Sequence, residues 1–221
     1  MAIAALPRRD EEARAHLDNL GRRARPVVLA RERVLAVPEP IGDQLPSGGL
    51  QRGTVTVVDG HRGAGATTLS LRLAAAASVA GEWVAAVDGD GVLGGLAASE
   101  AGIALDRFAV VRRVPSERWA VTVAALLDGV ALVLALTPVE LRPADARRLV
   151  ARARERGAVL VALGSWPVEA TMRLHVTAHS WEGLGDGAGL LSDRPLAFAV
   201  EGRGVVMRDD APAARRFARA G

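Results

Sequence analysis

Five short apolar runs, separated by helical patterns, dominate the chain between Gly53 and Gly164. The runs are TVTVVD (54–59), WVAAVD (83–88), FAVVRR (108–113), ALVLAL (131–136) and AVLVAL (158–163). Helical patterns fill the gaps at 66–80, 92–101, 116–127 and 143–156. Nearly continuous apolar strands that alternate with helices indicate a mostly parallel sheet with helices on both faces. The alternation therefore predicts an α/β fold.

The alternation of apolar runs and helical patterns does not extend to the two ends of the chain. Residues 9–24 carry an apolar stripe that includes Leu17 and Leu20, which predicts a short amphipathic N-terminal helix. The segment RPVVLARERVLAVPEP that follows is extended in pattern, and its prolines favour a linker or an edge strand. After Gly164 come the short alternating runs MRLHVTAHSW, LAFAVEG and GVVMR, which predict antiparallel strands at the C-terminal edge of the sheet. We divide the chain into an N-terminal helix and linker (1–41), a core domain (42–208) and a basic tail (209–221).

Composition limits the classes of function. A chain of 221 residues that is 50% hydrophobic can bury the core of a single domain. It has no cysteine, which excludes disulfides and thiolate metal sites, and we expect no metal site. Every one of its 28 basic residues is arginine, so the pI of 10.9 partly reflects arginine usage. A net charge of +3 does not by itself indicate nucleic-acid binding.

One segment has the length of a membrane span, Trp119 to Val139. Asp128 and Gly129 divide this segment and Pro138 closes it, so a buried helix and a buried strand joined by an Asp-Gly turn fit better. The first residues lack the long apolar stretch of a secretory signal. We expect a cytoplasmic protein that does not enter a membrane.

The sequence GHRGAGATT, Gly60 to Thr68, lies between the first strand and the first helix and has the spacing of a phosphate-binding loop. Such a loop works because backbone N–H groups and a helix N-terminus converge on phosphate oxygens. Ala66 stands where the loop would carry its lysine, and the chain has no other lysine to replace it. The candidate nucleotide-binding residues of this degenerate loop are Gly60, Arg62, Gly63, Gly65, Ala66, Thr67 and Thr68. A glycine turn that merely joins a strand to a helix remains the alternative.

The flanks of the loop resemble those of RecA-type recombinases. LPSGGLQRGTVTVVDG (45–60) is similar to the stretch that leads into their nucleotide loop, and VDGDGVLGGLAASEAGIALDRFAVVR is similar to their next strand and acidic segment. The resemblance covers about residues 42–208. It implies a RecA-like phosphate-loop core, with Asp88 at the family's aspartate position and Asp90 at its catalytic-glutamate position.

The chain also lacks several residues that the family uses to bind and hydrolyse the nucleotide. Besides the missing lysine, Ala135 stands in place of the Walker-B acid, and Gly164, Ser165 and Trp166 replace the sensor glutamine. Both DNA-binding loops are essentially absent. We therefore expect no catalytic residue, with Asp90 only a vestige, and at most weak binding of ATP or ADP with Mg²⁺.

This combination resembles the ImuA group, including the actinobacterial ImuA′ proteins, which are RecA-like accessory factors without recombinase activity. The resemblance implies a role in DNA repair by SOS-induced translesion synthesis and mutagenesis. The partners it implies are an ImuB-like polymerase-related adaptor and an error-prone replicative-type polymerase, with RecA as a further candidate. We take Leu17, Leu20, Arg215, Arg216 and Phe217 as candidate partner-binding residues.

Two other functions stay open. One is a divergent ATPase in which Arg62 replaces the lysine and Asp90 polarises water. The other is a DNA-binding module that uses the tail and the arginine-rich helix, with weak non-specific binding. The arginines of that helix are Arg147, Arg148, Arg152, Arg154 and Arg156.

Isolated aromatic and histidine residues favour ordinary structural roles. His175 and His179 have metal-ligand spacing only on a helix, whereas RLHVTAH alternates like a strand, so surface histidines are the better interpretation. His61 is explained equally well by loop exposure or by contact with an anion. For Trp166 and Trp181 we favour packing or a partner contact over base stacking.

Overall fold

The computed structural model describes residues 33–177 and 196–202. The chain divides between Arg33 and Val34, and the strands and α-helices described here all belong to the second unit. Several predictions lie outside the described residues: the N-terminal helix with Leu17 and Leu20, the strand GVVMR and the tail with Arg215, Arg216 and Phe217. His179 and Trp181 also lie outside them.

The predicted apolar runs form the strands of one seven-stranded sheet. Its strands are β3 (Val55–Gly60), β4 (Val84–Asp88), β5 (Phe108–Arg112), β6 (Leu132–Leu136), β7 (Val159–Leu163), β8 (Met172–Val176) and β9 (Phe198–Gly202). Their order across the sheet is β5-β4-β6-β7-β3-β8-β9. All neighbours are parallel except the antiparallel edge pair β8–β9. The prediction of a mostly parallel sheet with an antiparallel C-terminal edge is confirmed, and β8 itself runs parallel to β3.

Four α-helices lie between these strands in residues 33–177. They are α1 (Ala66–Val79), α2 (Gly95–Glu100), α3 (Ser116–Leu127) and α4 (Pro143–Arg156). α3 begins at Ser116 and β6 follows at Leu132, so the apolar segment from Trp119 is a helix and a strand, as predicted. In the described ranges, 33–177 and 196–202, no helix combines the length and the apolar character that crossing a membrane requires.

Alternate residues of the central strands pack into two separate cores, one on each face of the sheet. Val58 faces the core that includes Leu69 and Leu73 of α1. Val57 faces the core that includes Trp119 of α3 and Leu149 of α4. Because the side-chain period of a strand is two, helices on both faces require strands that are apolar at every position. The two cores confirm the layered α/β architecture, which is that of a RecA-like core.

A small antiparallel hairpin adds to the first core. Its strands are β1 (Val34–Ala36) and β2 (Gly49–Gln51), in which Leu35 lies opposite Leu50. Both leucines are buried in the core beside α1. The extended segment that the sequence places in a linker therefore contributes apolar side chains to the packed domain from Val34 onward.

Candidate nucleotide-binding site

The glycine loop joins β3 to α1 at the carboxyl edge of the sheet. Gly60 ends β3 so close to β8 that an added Cβ would lie 2.8 Å from the Val176 carbonyl oxygen. Gly63 and Gly65 have φ values of 83° and 106°, which side chains other than glycine rarely adopt. A backbone hydrogen bond of 2.9 Å from the Ala64 N–H to the His61 carbonyl closes the turn formed by residues 61–64. The three glycines are thus required by the shape of the loop.

The first turn of α1 lies where a phosphate loop presents its helix N-terminus. Gly65 is the N-cap, and no side chain caps the helix. Thr67 and Thr68 are exposed in the first turn, and Arg62 is exposed in the loop before it. Ala66 is half-buried and packs against the core beneath the helix. The backbone therefore has the form that the spacing predicts, while the lysine position holds only a methyl group.

Asp88, at the end of β4, is fully buried and uses both carboxylate oxygens locally. Its Oδ1 accepts a hydrogen bond from the Val92 N–H at 3.0 Å, and its Oδ2 accepts one from the Leu93 N–H at 2.8 Å. These bonds fold residues 89–94 into a turn before α2. Asp90 lies in this turn with an exposed side chain. The residue at the family's aspartate position therefore holds a loop in place.

The ends of β6 and β7 present small or apolar groups. Ala135 is completely buried in β6, between Val87 of β4 and Ala162 of β7. At the end of β7, Gly164 has a φ of 107° and donates its N–H to the Val58 carbonyl oxygen at 2.9 Å. These positions supply no carboxylate or amide side chain to the edge of the sheet.

Trp166 packs against the core that contains α3 and α4, and it is only 6% exposed. A base could not stack on a ring buried in this way. The interpretation of Trp166 as a packing residue agrees with its position.

A charged cluster that the sequence analysis missed lies directly beside the loop. Asp59, the residue before Gly60, accepts a 2.6 Å hydrogen bond from Arg173 Nη1 on its Oδ2. Its Oδ1 lies 2.6 Å from His175 Nδ1. His175 is half-exposed, as a surface histidine should be, but it has a carboxylate partner. The sequence signal for this cluster was an aspartate at the end of an apolar strand. Its partners on β8 are more than a hundred residues away in the chain, so no local pattern connects them.

The arginine-rich helix α4 is partly neutralised by ion pairs. Arg152 and Arg156 both bind Asp128, which follows α3. The hydrogen bond from Arg152, together with the charges of both arginines, holds the pKa of Asp128 below its usual 3.8. Buried Ala146, Leu149 and Ala153 form the stripe that faces the core.

Over the part of the chain that the structure describes, no group of three or more histidine, aspartate or glutamate side chains is arranged to hold a metal ion. The Asp59 cluster supplies one carboxylate, one imidazole and one guanidinium, and a guanidinium does not ligate metals.

The parallel sheet, the glycine loop and the helix that follows it define the class of this protein: an α/β domain with a RecA-like core. The chain belongs to the family described as the MT3502 N-terminal domain, whose model matches residues 43–168. The match runs through the glycine loop, Asp88 and Trp166, and it ends before β8 with Arg173 and His175. No curated protein matches the chain.

Proposed function

We propose that this protein is a non-catalytic RecA-fold adaptor in SOS-induced translesion synthesis. It acts through protein–protein contacts with an ImuB-like adaptor, an error-prone replicative-type polymerase and RecA. The observation that carries the non-catalytic part is a phosphate loop with intact backbone geometry near the ends of β6 and β7, which supply no carboxylate or amide side chain. The resemblance of this combination of features to the ImuA group supports the role in mutagenesis, and the cytoplasm is the compartment it requires.

The chemistry of phosphoryl transfer explains why the missing groups matter. Its transition state is stabilised mainly by cations, a loop lysine and a Mg²⁺ held by an acidic residue. Ala66 supplies no charge, and Ala135 offers no carboxylate to a metal. Asp88 does not replace it, because both of its oxygens already accept backbone hydrogen bonds. Hydrolysis at or near background follows from these three positions.

A divergent ATPase is the second candidate, and two exposed side chains favour it. Arg62 lies in the loop and Asp90 lies in the turn after β4, both at the carboxyl edge of the sheet. In this alternative Arg62 neutralises phosphate charge and Asp90 polarises the attacking water. Steady-state ATP turnover that disappears in Asp90→Ala would establish the enzyme and refute the adaptor.

Restoring the lysine tests whether the loop still has the shape of a phosphate cradle. We expect Ala66→Lys to bind Mg-ATP at least about tenfold more tightly than the wild type, a gain of roughly 1.4 kcal/mol. Thr68→Lys is the matched control, because it adds the same charge two residues further along the same exposed turn. Calorimetric titration measures both affinities. Equal affinities for the two variants would show that position 66 does not face a phosphate site.

Partner binding tests the adaptor role itself. In a pull-down with an ImuB-like protein as bait, we expect the full chain to be retained, and chains lacking residues 1–25 or 209–221 to be retained less. Thermal melting of each truncated chain checks that the core is still folded. If neither an ImuB-like protein nor RecA retains the full chain, the adaptor proposal fails. Undiminished binding by both truncated chains would remove the termini from the proposed contact.

A further inference from the structure

Helix α4 and the arginine before it carry more net positive charge than the whole chain does. Residues 142–156 contain six arginines and two acidic residues, a net charge of +4, whereas the whole chain carries +3. The rest of the chain is therefore close to neutral. A local field of this kind directs a polyanion to one surface, where it raises the association rate.

The arginines of residues 142–156 fall into two groups. Arg142, Arg148, Arg152 and Arg156 form ion pairs with Asp145, Asp128 or Glu155. Arg147 and Arg154 are exposed, and neither has an acidic partner in residues 33–177 or 196–202. The acidic side chains of the helix, together with Asp128, are thus already paired, and these two guanidinium groups keep their full binding capacity.

Arg147 and Arg154 lie on one side of the helix. The buried stripe Ala146, Leu149 and Ala153 fixes which side faces the core. Arg147, Ala151 and Arg154 have i, i+4, i+7 spacing on the exposed side, with roughly 10 Å between the two arginine positions along the axis. We call these three residues the outer arginine strip. Ala151, between the two arginines, is small and exposed, so the backbone of an extended polyanion can approach the helix closely.

The strip favours a phosphate backbone over a protein surface. The centre of a protein interface is usually built on large apolar or aromatic side chains. In the described part of the chain, the large apolar side chains that are exposed lie off α4: Val79, Trp83, Val92, Leu96, Leu105, Val121 and Val139. The strip offers only guanidinium groups and a methyl group, and guanidinium groups bind phosphates through two parallel hydrogen bonds.

We propose that the outer arginine strip binds the phosphate backbone of nucleic acid without regard to sequence. The strip goes beyond the proposed adaptor role and depends on none of the chemistry of the glycine loop. It lies on the layer of helices that covers the α3–α4 core, whereas α1, which follows the glycine loop, packs on the other core.

The test is fluorescence anisotropy of the full chain with a labelled single-stranded DNA of about 20 nucleotides, a length that spans the helix several times over. The titration is repeated over a range of salt concentrations. We expect the wild type to bind with an affinity that falls steeply as salt rises. Arg147→Gln/Arg154→Gln should bind at least about tenfold more weakly at low salt, with a log–log salt slope smaller by about 1.4, because each lost phosphate contact removes about 0.7.

Two further variants separate the site from net charge and from folding. Arg113→Gln/Arg118→Gln removes the same charge from exposed residues that follow β5, and we expect it to keep the salt slope of the wild type. Arg147→Lys/Arg154→Lys keeps the charge on α4 and should retain most of the affinity. All variants should melt at the temperature of the wild type, since neither Arg147 nor Arg154 forms an ion pair in the described residues.

Three results would overturn the inference. The first is the absence of DNA binding by the wild type at low salt. The second is an equal loss of affinity in Arg147→Gln/Arg154→Gln and Arg113→Gln/Arg118→Gln. The third is a polyglutamate peptide of the same charge that displaces the DNA at lower concentration than unlabelled DNA does, because it would identify an acidic protein segment as the better ligand. None of these results changes the pull-down with an ImuB-like protein, so the two proposals fail separately.

Discussion

Two loops at the same edge of the sheet, one after β3 and one after β4, hold their shape by different means. The loop after β3 is shaped by Gly60, Gly63 and Gly65, and no side chain caps the helix that follows. The loop after β4 is shaped by a buried carboxylate, Asp88, which accepts two of its backbone N–H groups. The first arrangement leaves a helix N-terminus for an external anion, whereas the second contains its own anion. A phosphate-loop backbone can therefore lie beside a strand end whose carboxylate is bound by its own loop.

Removal of the internal anion should have the largest effect on stability. We expect Asp88→Ala to lower the free energy of unfolding by about 3 kcal/mol, because it leaves the buried Leu93 N–H and the part-buried Val92 N–H without an acceptor. Asp88→Asn keeps one acceptor oxygen and should cost about half as much. Asp90→Ala, in the same turn but exposed, is the control and should change stability by less than about 0.5 kcal/mol. Urea unfolding measures all three, and equal losses for Asp88→Ala and Asp90→Ala would remove the distinction between the loops.

Substitution of the loop glycines should have the next largest effect. Gly60→Ala places a methyl group 2.8 Å from the Val176 carbonyl oxygen, and we expect a loss of about 2 kcal/mol. Gly63→Ala meets no atom within 4 Å and should cost only about 1 kcal/mol, the strain of its positive φ. Thermal or urea unfolding of the pair tests whether close approach or backbone conformation dominates. A larger loss for Gly63→Ala than for Gly60→Ala would contradict the close contact with β8.

Asp128, a carboxylate on the surface, differs from buried Asp88 in that its partners are arginine side chains and its contribution to stability depends on pH. The folded-state pKa of Asp128 lies below the usual 3.8, so near that pH the folded protein binds fewer protons than the unfolded chain. The stabilisation from Asp128 is therefore complete above the usual pKa and is lost as pH falls through the lowered value. Asp128→Asn should melt slightly below the wild type at neutral pH, and the difference should vanish in acid. A difference that grows as pH falls would assign the stabilisation to another group.

Local patterns in the sequence predicted most of the fold. The helices at 116–127 and 143–156 have the bounds that the pattern predicted, and each predicted core strand agrees to within one residue. The helix predicted at 92–101 is shorter, Gly95–Glu100, because Asp88 binds the backbone N–H groups of Val92 and Leu93 in a turn. Periodicity reports which residues face a core, but it does not report a side chain that competes for backbone hydrogen bonds.

The candidate site was predictable only where its signal is local. The spacing of three glycines located the loop, because their positive φ values belong to a local turn of the backbone. The Asp59, Arg173 and His175 cluster was missed, because its members meet only when β3 pairs with β8. The role of Asp88 as the acceptor for its own loop also depends on burial, which the sequence does not specify for a single polar residue.

The position of β7 between β3 and β6 determines when the sheet can close during folding. β4 pairs with both β5 and β6, whereas β3 pairs only with β7 and β8, which follow more than a hundred residues later in the chain. During synthesis β3 therefore stays unpaired until nearly the whole domain has left the ribosome. Such long-range pairing slows folding and exposes apolar strand edges in the meantime. A chain that ends before Val159 has no strand to join its two halves, and we expect no stable sheet from it.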